Sequence, residues 1–274
     1  MDTERNTSTP GSLDLARSGG LTRRRLLQQA GVLGLAAAAG GSLGAGRGFA
    51  AVSSATALAS ASRLTLTPEQ EEGPFYVAIE KIRKNITLGK SGVPLNLKIR
   101  VEDTSGAAVK GAVCDIWHCD ALGVYSDESS ENTVGQTFLR GVQFTDADGV
   151  AEFKTIYPGH YSGRTTHIHV KVHVGGKASG GSYKGGHVSH TGQLLFEDSI
   201  TSQVYRLAPY ASDAAARVVN TSDRIYTEQG GARSTLTLAR LGSSVGDGFL
   251  GTVRLVVDPS STPAAIGVSG SGPP

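Results

Sequence analysis

The chain has 274 residues, 39% of them apolar, which suits one sizeable buried core with unstructured ends. Its 26 basic and 24 acidic residues leave a formal net charge of +2, too small a field for a nucleic-acid or membrane-surface binder, so the expected partner is a small molecule. Thirty-seven glycines and 6% aromatic residues suit a loop-rich β protein better than a helical one, and 18% charge argues against disorder throughout.

In chain order, residues 1–51 read as an export signal. Thr22-Arg23-Arg24-Arg25-Leu26-Leu27 precedes a weakly apolar run from Ala30 to Ala45, the pattern of the twin-arginine route. Gln28, Gln29 and the glycines make this stretch less hydrophobic than the ~20 apolar residues of a spanning helix. The expected mature protein is therefore extracellular or cell-wall associated, without stable membrane insertion after signal removal. Residues 52–63 read as a flexible linker.

From 64 to 258 short Val, Ile, Leu, Thr and Tyr runs alternate with Gly, Asp, Asn and Pro turns, the texture of an all-β sandwich of mainly antiparallel strands with long loops. The pattern predicts strands at Leu95–Glu102, Ala112–His118, Gly141–Thr145, Ala151–Ile156, His167–His173, Gly192–Phe196, Leu236–Arg240 and Gly251–Val257. Asp146-Ala147-Asp148-Gly149 reads as a tight turn joining two strands in a hairpin. Gly175 to Ser189 reads as a mobile surface loop, Ser199 to Ala216 as one helical turn limited by Pro209, and residues 259–274 as a disordered tail. Cys114 and Cys119, five residues apart on an extended strand, would lie roughly 16 Å apart. That is beyond disulfide reach, so both are expected as buried thiols.

The chemistry concentrates in two segments. In Pro158-Gly159-His160-Tyr161-Ser162-Gly163-Arg164-Thr165-Thr166-His167-Ile168-His169, residues two apart on a strand share a face, so His167 and His169 can aim two imidazoles at one metal. Tyr161 follows a Gly-containing turn that can fold its phenol towards the same point. Upstream, a strand ending at Trp117 runs through a loop to Tyr125; Trp117 itself reads as a core anchor. His118, His160, His173, His187 and His190 read as surface or turn residues, with His187 and His190 the pair nearest the expected substrate mouth.

These segments, with Glu72-Gly73-Pro74-Phe75-Tyr76 and Thr155-Ile156-Tyr157-Pro158-Gly159, resemble the intradiol ring-cleavage dioxygenases, the family of catechol and protocatechuate dioxygenases, in its exported single-domain bacterial branch. The likeness covers about Glu71 to Phe196. It implies one non-haem Fe(III) per chain, held by Tyr125, Tyr161, His167 and His169. It implies a catechol-type substrate and O2, with Tyr161 leaving the metal to take a catechol proton while Tyr125 stays bound. The resemblance implies a cis,cis-muconate-type diacid as the product. Arg164 corresponds to an arginine that stabilises charge on the ring, Gln193 to a glutamine near the iron, and Gly73, Pro74, Phe75 and Tyr76 to the pocket wall. Two phenolates and two neutral imidazoles are a donor set suited to ferric iron rather than zinc. The non-enzymatic alternative is a transthyretin-like or adhesive β-sandwich, which the strand texture also fits. A zinc hydrolase built on His167 and His169 would need a third ligand and a general base, and no such motif is present.

Overall fold

The computed structural model describes residues 63–267. The segment expected to be an export signal, almost all of the expected linker and the expected tail beyond 267 lie outside these residues. Ten strands are present among the described residues: β1 (Pro94–Glu102), β2 (Val113–Trp117), β3 (Arg140–Phe144), β4 (Val150–Ile156), β5 (His167–Val174), β6 (Lys177–Ser179), β7 (Ser182–Lys184), β8 (His187–Leu195), β9 (Thr237–Arg240) and β10 (Phe249–Val256). Two short helices follow β8: α1 (Asp198–Val204) and α2 (Arg224–Glu228).

The strands make two four-stranded sheets, ordered β4-β1-β10-β9 and β3-β2-β5-β8. β1 and β10 run parallel; the other pairs within both sheets are antiparallel. The expected all-β sandwich is therefore observed, with each predicted strand shifted or extended only at its ends. Alternation places the core. Leu95, Leu97, Ile99 and Val101 of β1 are buried against Cys114 and Ile116 of β2 and Ile168, Val170 and Val172 of β5, each apolar side chain contributing on the order of 1.5–3 kcal/mol. Cys114 and Cys119 are free and buried, as expected.

Three expectations are corrected. Asp146–Gly149 is a tight turn, with the Asp146 carboxylate accepting from the Asp148 and Val150 amides at 2.9 Å, but it does not close a hairpin. It carries the chain from β3 to β4 in the opposite sheet, because Val101 of β1 donates to the Gly149 carbonyl at 2.8 Å and draws the chain across. The segment read as a mobile loop holds the β6–β7 hairpin. Gly180 and Gly181 both take positive φ (58° and 83°), which a two-residue hairpin turn of the favoured twist requires. α1 has seven residues where one turn was expected, and a separate 3-10 turn follows at Tyr210–Ser212.

The second sheet is covered on its outer face as well. Gln70 donates to the Thr191 carbonyl on the β8 edge, and Lys81 and Arg83 bond Val142 on the β3 edge, so residues 71–80 cross this face between them. All five residues of β2 are buried for this reason.

Candidate active site

The site lies beneath that crossing segment. β5 sends Ile168 and Val170 into the core, which turns His167 and His169 outward. Trp117 of β2 and Gln193 of β8 stand opposite His169 on its two neighbouring strands, forming one row across the sheet.

Two loops bring the phenols to this row. The Asp120 carboxylate accepts from the Leu122 amide (2.9 Å) and the Val124 amide (3.1 Å), folding a turn that delivers Tyr125. Gly159 donates to the Asp120 carbonyl at 3.0 Å, so the Tyr161 loop sits directly on the Tyr125 loop. A Cβ at Gly123 would lie 2.3 Å from the His160 carbonyl oxygen, and one at Gly159 2.6 Å from the Asp120 oxygen. Neither position has room for a side chain.

The structure thus brings Tyr125, Tyr161, His167 and His169 together. His167 Nε2 and His169 Nε2 are 3.0 Å apart, and the Tyr161 hydroxyl is 3.4 Å from His167 Nε2. The Tyr125 and Tyr161 rings are 5.7 Å apart, and those of Tyr125 and His169 6.2 Å. Nδ1 of His167 donates to the Thr165 carbonyl at 2.6 Å, which leaves its Nε2 lone pair facing the centre. The buried Tyr125 hydroxyl has no hydrogen-bond partner. A buried phenol oxygen left alone beside two converging imidazole nitrogens is a donor set that fits a metal ion. Among the described residues, no three His, Cys, Asp or Glu side chains cluster as a ligand set, so phenols would have to complete it.

Electrostatics agree. Burial holds both imidazoles well below the ordinary histidine value, with Arg164 adding to the effect on each, so both are neutral lone-pair donors. Burial also raises both phenols, Tyr161 to about 12 and Tyr125 further, the latter helped by its neighbour Tyr161. Ionising them requires a strong cation at the centre.

Arg164 is not a surface residue. Its Nε donates to Asp223 Oδ2 at 2.8 Å, its Nη2 to Gln193 Oε1 at 2.6 Å, and its Nη1 lies 3.5 Å from the Tyr161 hydroxyl. Gln193 is fully buried and donates to the Glu71 carbonyl at 3.1 Å, so it holds Arg164 and the crossing segment together. Burial works against the charge on Arg164, but Tyr161 and Asp223 outweigh it. Burial likewise opposes the Asp223 carboxylate, and Arg164 nevertheless keeps it below its usual range.

Of the expected wall, Phe75 stacks on Tyr125 at 4.2 Å and Tyr76 meets Trp117 at 4.8 Å, while Pro74 is exposed. Gly73 is nearer the chemistry than expected. It has φ 77°, and a Cβ there would stand 3.0 Å from His169 Cε1. Trp117 is buried, but as a plate stacked on His169 at 4.9 Å and 5°.

Two functional residues escaped the sequence reading. Asp223 caps α2 while bonding Arg164, and the sequence signal for it was an Asp immediately before Arg224-Ile225-Tyr226. Arg140, 2% exposed, donates to the Phe75 carbonyl and to both oxygens of Ser126, tying the crossing segment to the Tyr125 loop. Nothing in its sequence context distinguishes it. The expectation of surface or turn roles for the remaining histidines fails for three. His118 is fully buried between the Cys119 carbonyl and the Thr155 hydroxyl, His160 stacks on Tyr205, and His190 pairs with Glu69.

A β-sandwich carrying a two-tyrosine, two-histidine centre on one outer face defines a class of dioxygenases, and residues 71–188 match the family model described as dioxygenase. The chain is 30% identical to the intradiol ring-cleavage dioxygenase from Tetranychus urticae, covering 98% of that structure and 73% of itself with a TM-score of 0.64. It is 29% identical to the dioxygenase domain of a carbohydrate-binding fusion from Streptomyces sp. SirexAA-E (99% of that chain, 71% of this one, TM-score 0.50). Among curated sequences, catechol 1,2-dioxygenase 1 of Acinetobacter lwoffii is 35% identical over 102 residues. That match spans 32% of the relative's length and 35% of this chain. The chain belongs to the intradiol ring-cleavage dioxygenase family.

Proposed function

We propose that the protein is an Fe(III)-dependent intradiol dioxygenase that inserts both atoms of O2 into a catechol-type diol, opening the ring between the hydroxyl-bearing carbons to a cis,cis-muconate-type diacid. The observation that carries this is the convergence of Tyr125, Tyr161, His167 and His169 on one point beside a fixed, half-buried guanidinium. The curated relative named catechol 1,2-dioxygenase supports the substrate class. The adhesive-module alternative gives no reason for such a cluster.

Bound ferric iron would supply the Lewis acidity that chelates a catechol dianion and makes it reactive towards O2. The protein's own groups do the rest. His167 and His169 are held neutral and oriented, one through the Thr165 carbonyl and the other by the Trp117 plate. Tyr161, the half-buried phenol of the two, is placed to take a catechol proton. Arg164 beside its hydroxyl stabilises the negative charge that appears on tyrosinate and ring, and Asp223 and Gln193 keep that cation in place. Phe75, Tyr76 and Trp117 exclude water, which strengthens each of these interactions.

Oxygen uptake over a panel of catechols, with product analysis, tests the reaction. Ring-opened diacid from at least one uncharged or carboxylated catechol supports it; no uptake by iron-loaded protein on any of them refutes it. We also propose that the twin-arginine segment exports the chain; retention of the precursor after Arg23 and Arg24 are changed to Lys checks this.

A further inference from the structure

The ligand-bearing face of the second sheet continues past the metal-side row. One pleat along, β2 and β5 set Asp115 opposite Lys171, next to the pair of Trp117 and His169. Trp117, the chain's single tryptophan, lies flat on His169 with centroids 4.9 Å apart. Tyr76 touches Trp117 at 4.8 Å and donates its hydroxyl to Asp115 Oδ2 at 3.2 Å. Tyr76 is half-buried, so the row of contacts begins beside a metal-side imidazole and ends near the surface.

The reaction above has no use for Asp115. A carboxyl 4% exposed in the middle of a sheet is costly to keep, and burial pushes it up to about 7, making it a stronger base than an ordinary carboxylate. Contacting aromatic rings offer an electron its shortest steps through a protein. A tyrosine gives up an electron readily only when its phenol proton has somewhere to go. Tyr125 sits in the same aromatic cluster, but its oxygen is assigned to the metal centre, whereas the Tyr76 hydroxyl donates to a carboxylate.

We propose that Trp117, Tyr76 and Asp115 form a one-electron outlet that carries an oxidising equivalent away from the His169 side of the site to a half-buried phenol. With a one-electron oxidant such as the carbonate radical anion, the oxidant gains an electron to become carbonate and Trp117 becomes a radical cation. Tyr76 then returns an electron to Trp117 while its hydroxyl proton moves to the Asp115 carboxylate. Trp117 is restored, and a neutral tyrosyl radical faces a protonated carboxyl. The metal ligands are spared oxidation. None of these steps requires bound metal, so the outlet stands or falls separately from the proposed reaction.

The test photo-ionises the purified full-length chain at the red edge of tryptophan absorption and follows it by transient absorption and electron paramagnetic resonance. The tryptophan radical should decay as a tyrosyl radical grows, and the growth should slow in D2O because a proton moves with the electron. In Tyr76→Phe the tyrosyl signal should be lost and the tryptophan radical persist. Asp115→Asn, which keeps an oxygen acceptor but provides no carboxylate to take the proton, should do the same. Melting temperature shows that each variant is folded. Unchanged decay in Tyr76→Phe, loss of the tyrosyl signal in Tyr125→Phe instead, or equal rates in the two solvents for the unaltered chain would each overturn the proposal.

Discussion

Replacing Asp223 by Asn removes one charge and almost no volume. In the native chain one carboxylate oxygen accepts from Arg164 Nε at 2.8 Å and the Thr165 amide at 3.0 Å, while the other accepts from the Ile225 amide at 2.9 Å and the Tyr226 amide at 3.2 Å. An Asn amide must turn its NH2 towards one of those donor pairs, so either Arg164 or the start of α2 loses its partner. Removing one member of a buried ion pair costs about 3–5 kcal/mol, and the lower end applies because the Arg164 side chain keeps 17% exposure. At roughly 2–4 °C per kcal/mol for a domain of this size, about 3 kcal/mol lowers the melting temperature by roughly 6–12 °C. Turnover should fall on the order of 10²-fold, because the cation near the Tyr161 hydroxyl is no longer fixed. Asp223→Ala should lose about 1 kcal/mol more, the helix cap going with the charge. The pH dependence has a definite sign. The folded-state value of Asp223 is depressed, so its contribution is full above the ordinary carboxylate value of 3.8 and disappears as pH falls through the folded value. Differential scanning calorimetry with an oxygen electrode measures both effects. An Asp223→Asn variant with unchanged melting and unchanged turnover would show that Asp223 neither supports the fold nor fixes Arg164.

Arg164→Lys should retain metal, colour and melting temperature while turnover falls roughly 10²-fold, since an ammonium cannot reach Asp223, Gln193 and the Tyr161 hydroxyl together; metal analysis alongside steady-state kinetics checks it. Gly73→Ala places a methyl 3.0 Å from His169 Cε1 at a positive φ, and should weaken metal affinity by roughly 10–100-fold, read by metal titration of the stripped protein. His118 is depressed from 6.5 to about 4 by burial, so the folded chain excludes a proton that the unfolded chain binds. Stability should therefore fall as pH drops from 6.5 to 4, and His118→Gln should flatten that part of the melting-temperature profile.

The four candidate metal donors were legible in the sequence because their signal is local. Alternation along Val170, Ile168 and their neighbours places His167 and His169 on one face, and a glycine turn before Tyr161 is visible in the chain order. The parts that stayed hidden depend on distant partners. Trp117 is buried in a core cluster as expected, but its stack on His169 was hidden, because nothing in β2 tells which face a crossing segment will cover; that depends on hydrogen bonds made by Gln70 at the β8 edge and by Lys81 and Arg83 at the β3 edge. What holds Arg164 in place was not legible, since its partner Asp223 lies 59 residues away. The Asp146–Gly149 turn joins the two strands expected of it, but these do not pair as a hairpin, because β4 is drawn into the other sheet by a contact made with Val101.

On the proposed function, two tyrosines and two histidines hold ferric iron at this centre. Metal analysis and the visible spectrum of the purified protein, with and without added catechol, test it most directly. The expected result is one iron per chain, a reddish colour from tyrosinate-to-iron charge transfer that shifts when catechol binds, and a changed colour with sharply lower activity in Tyr125→Phe. A colourless, zinc-loaded protein that still opens catechol rings would contradict it.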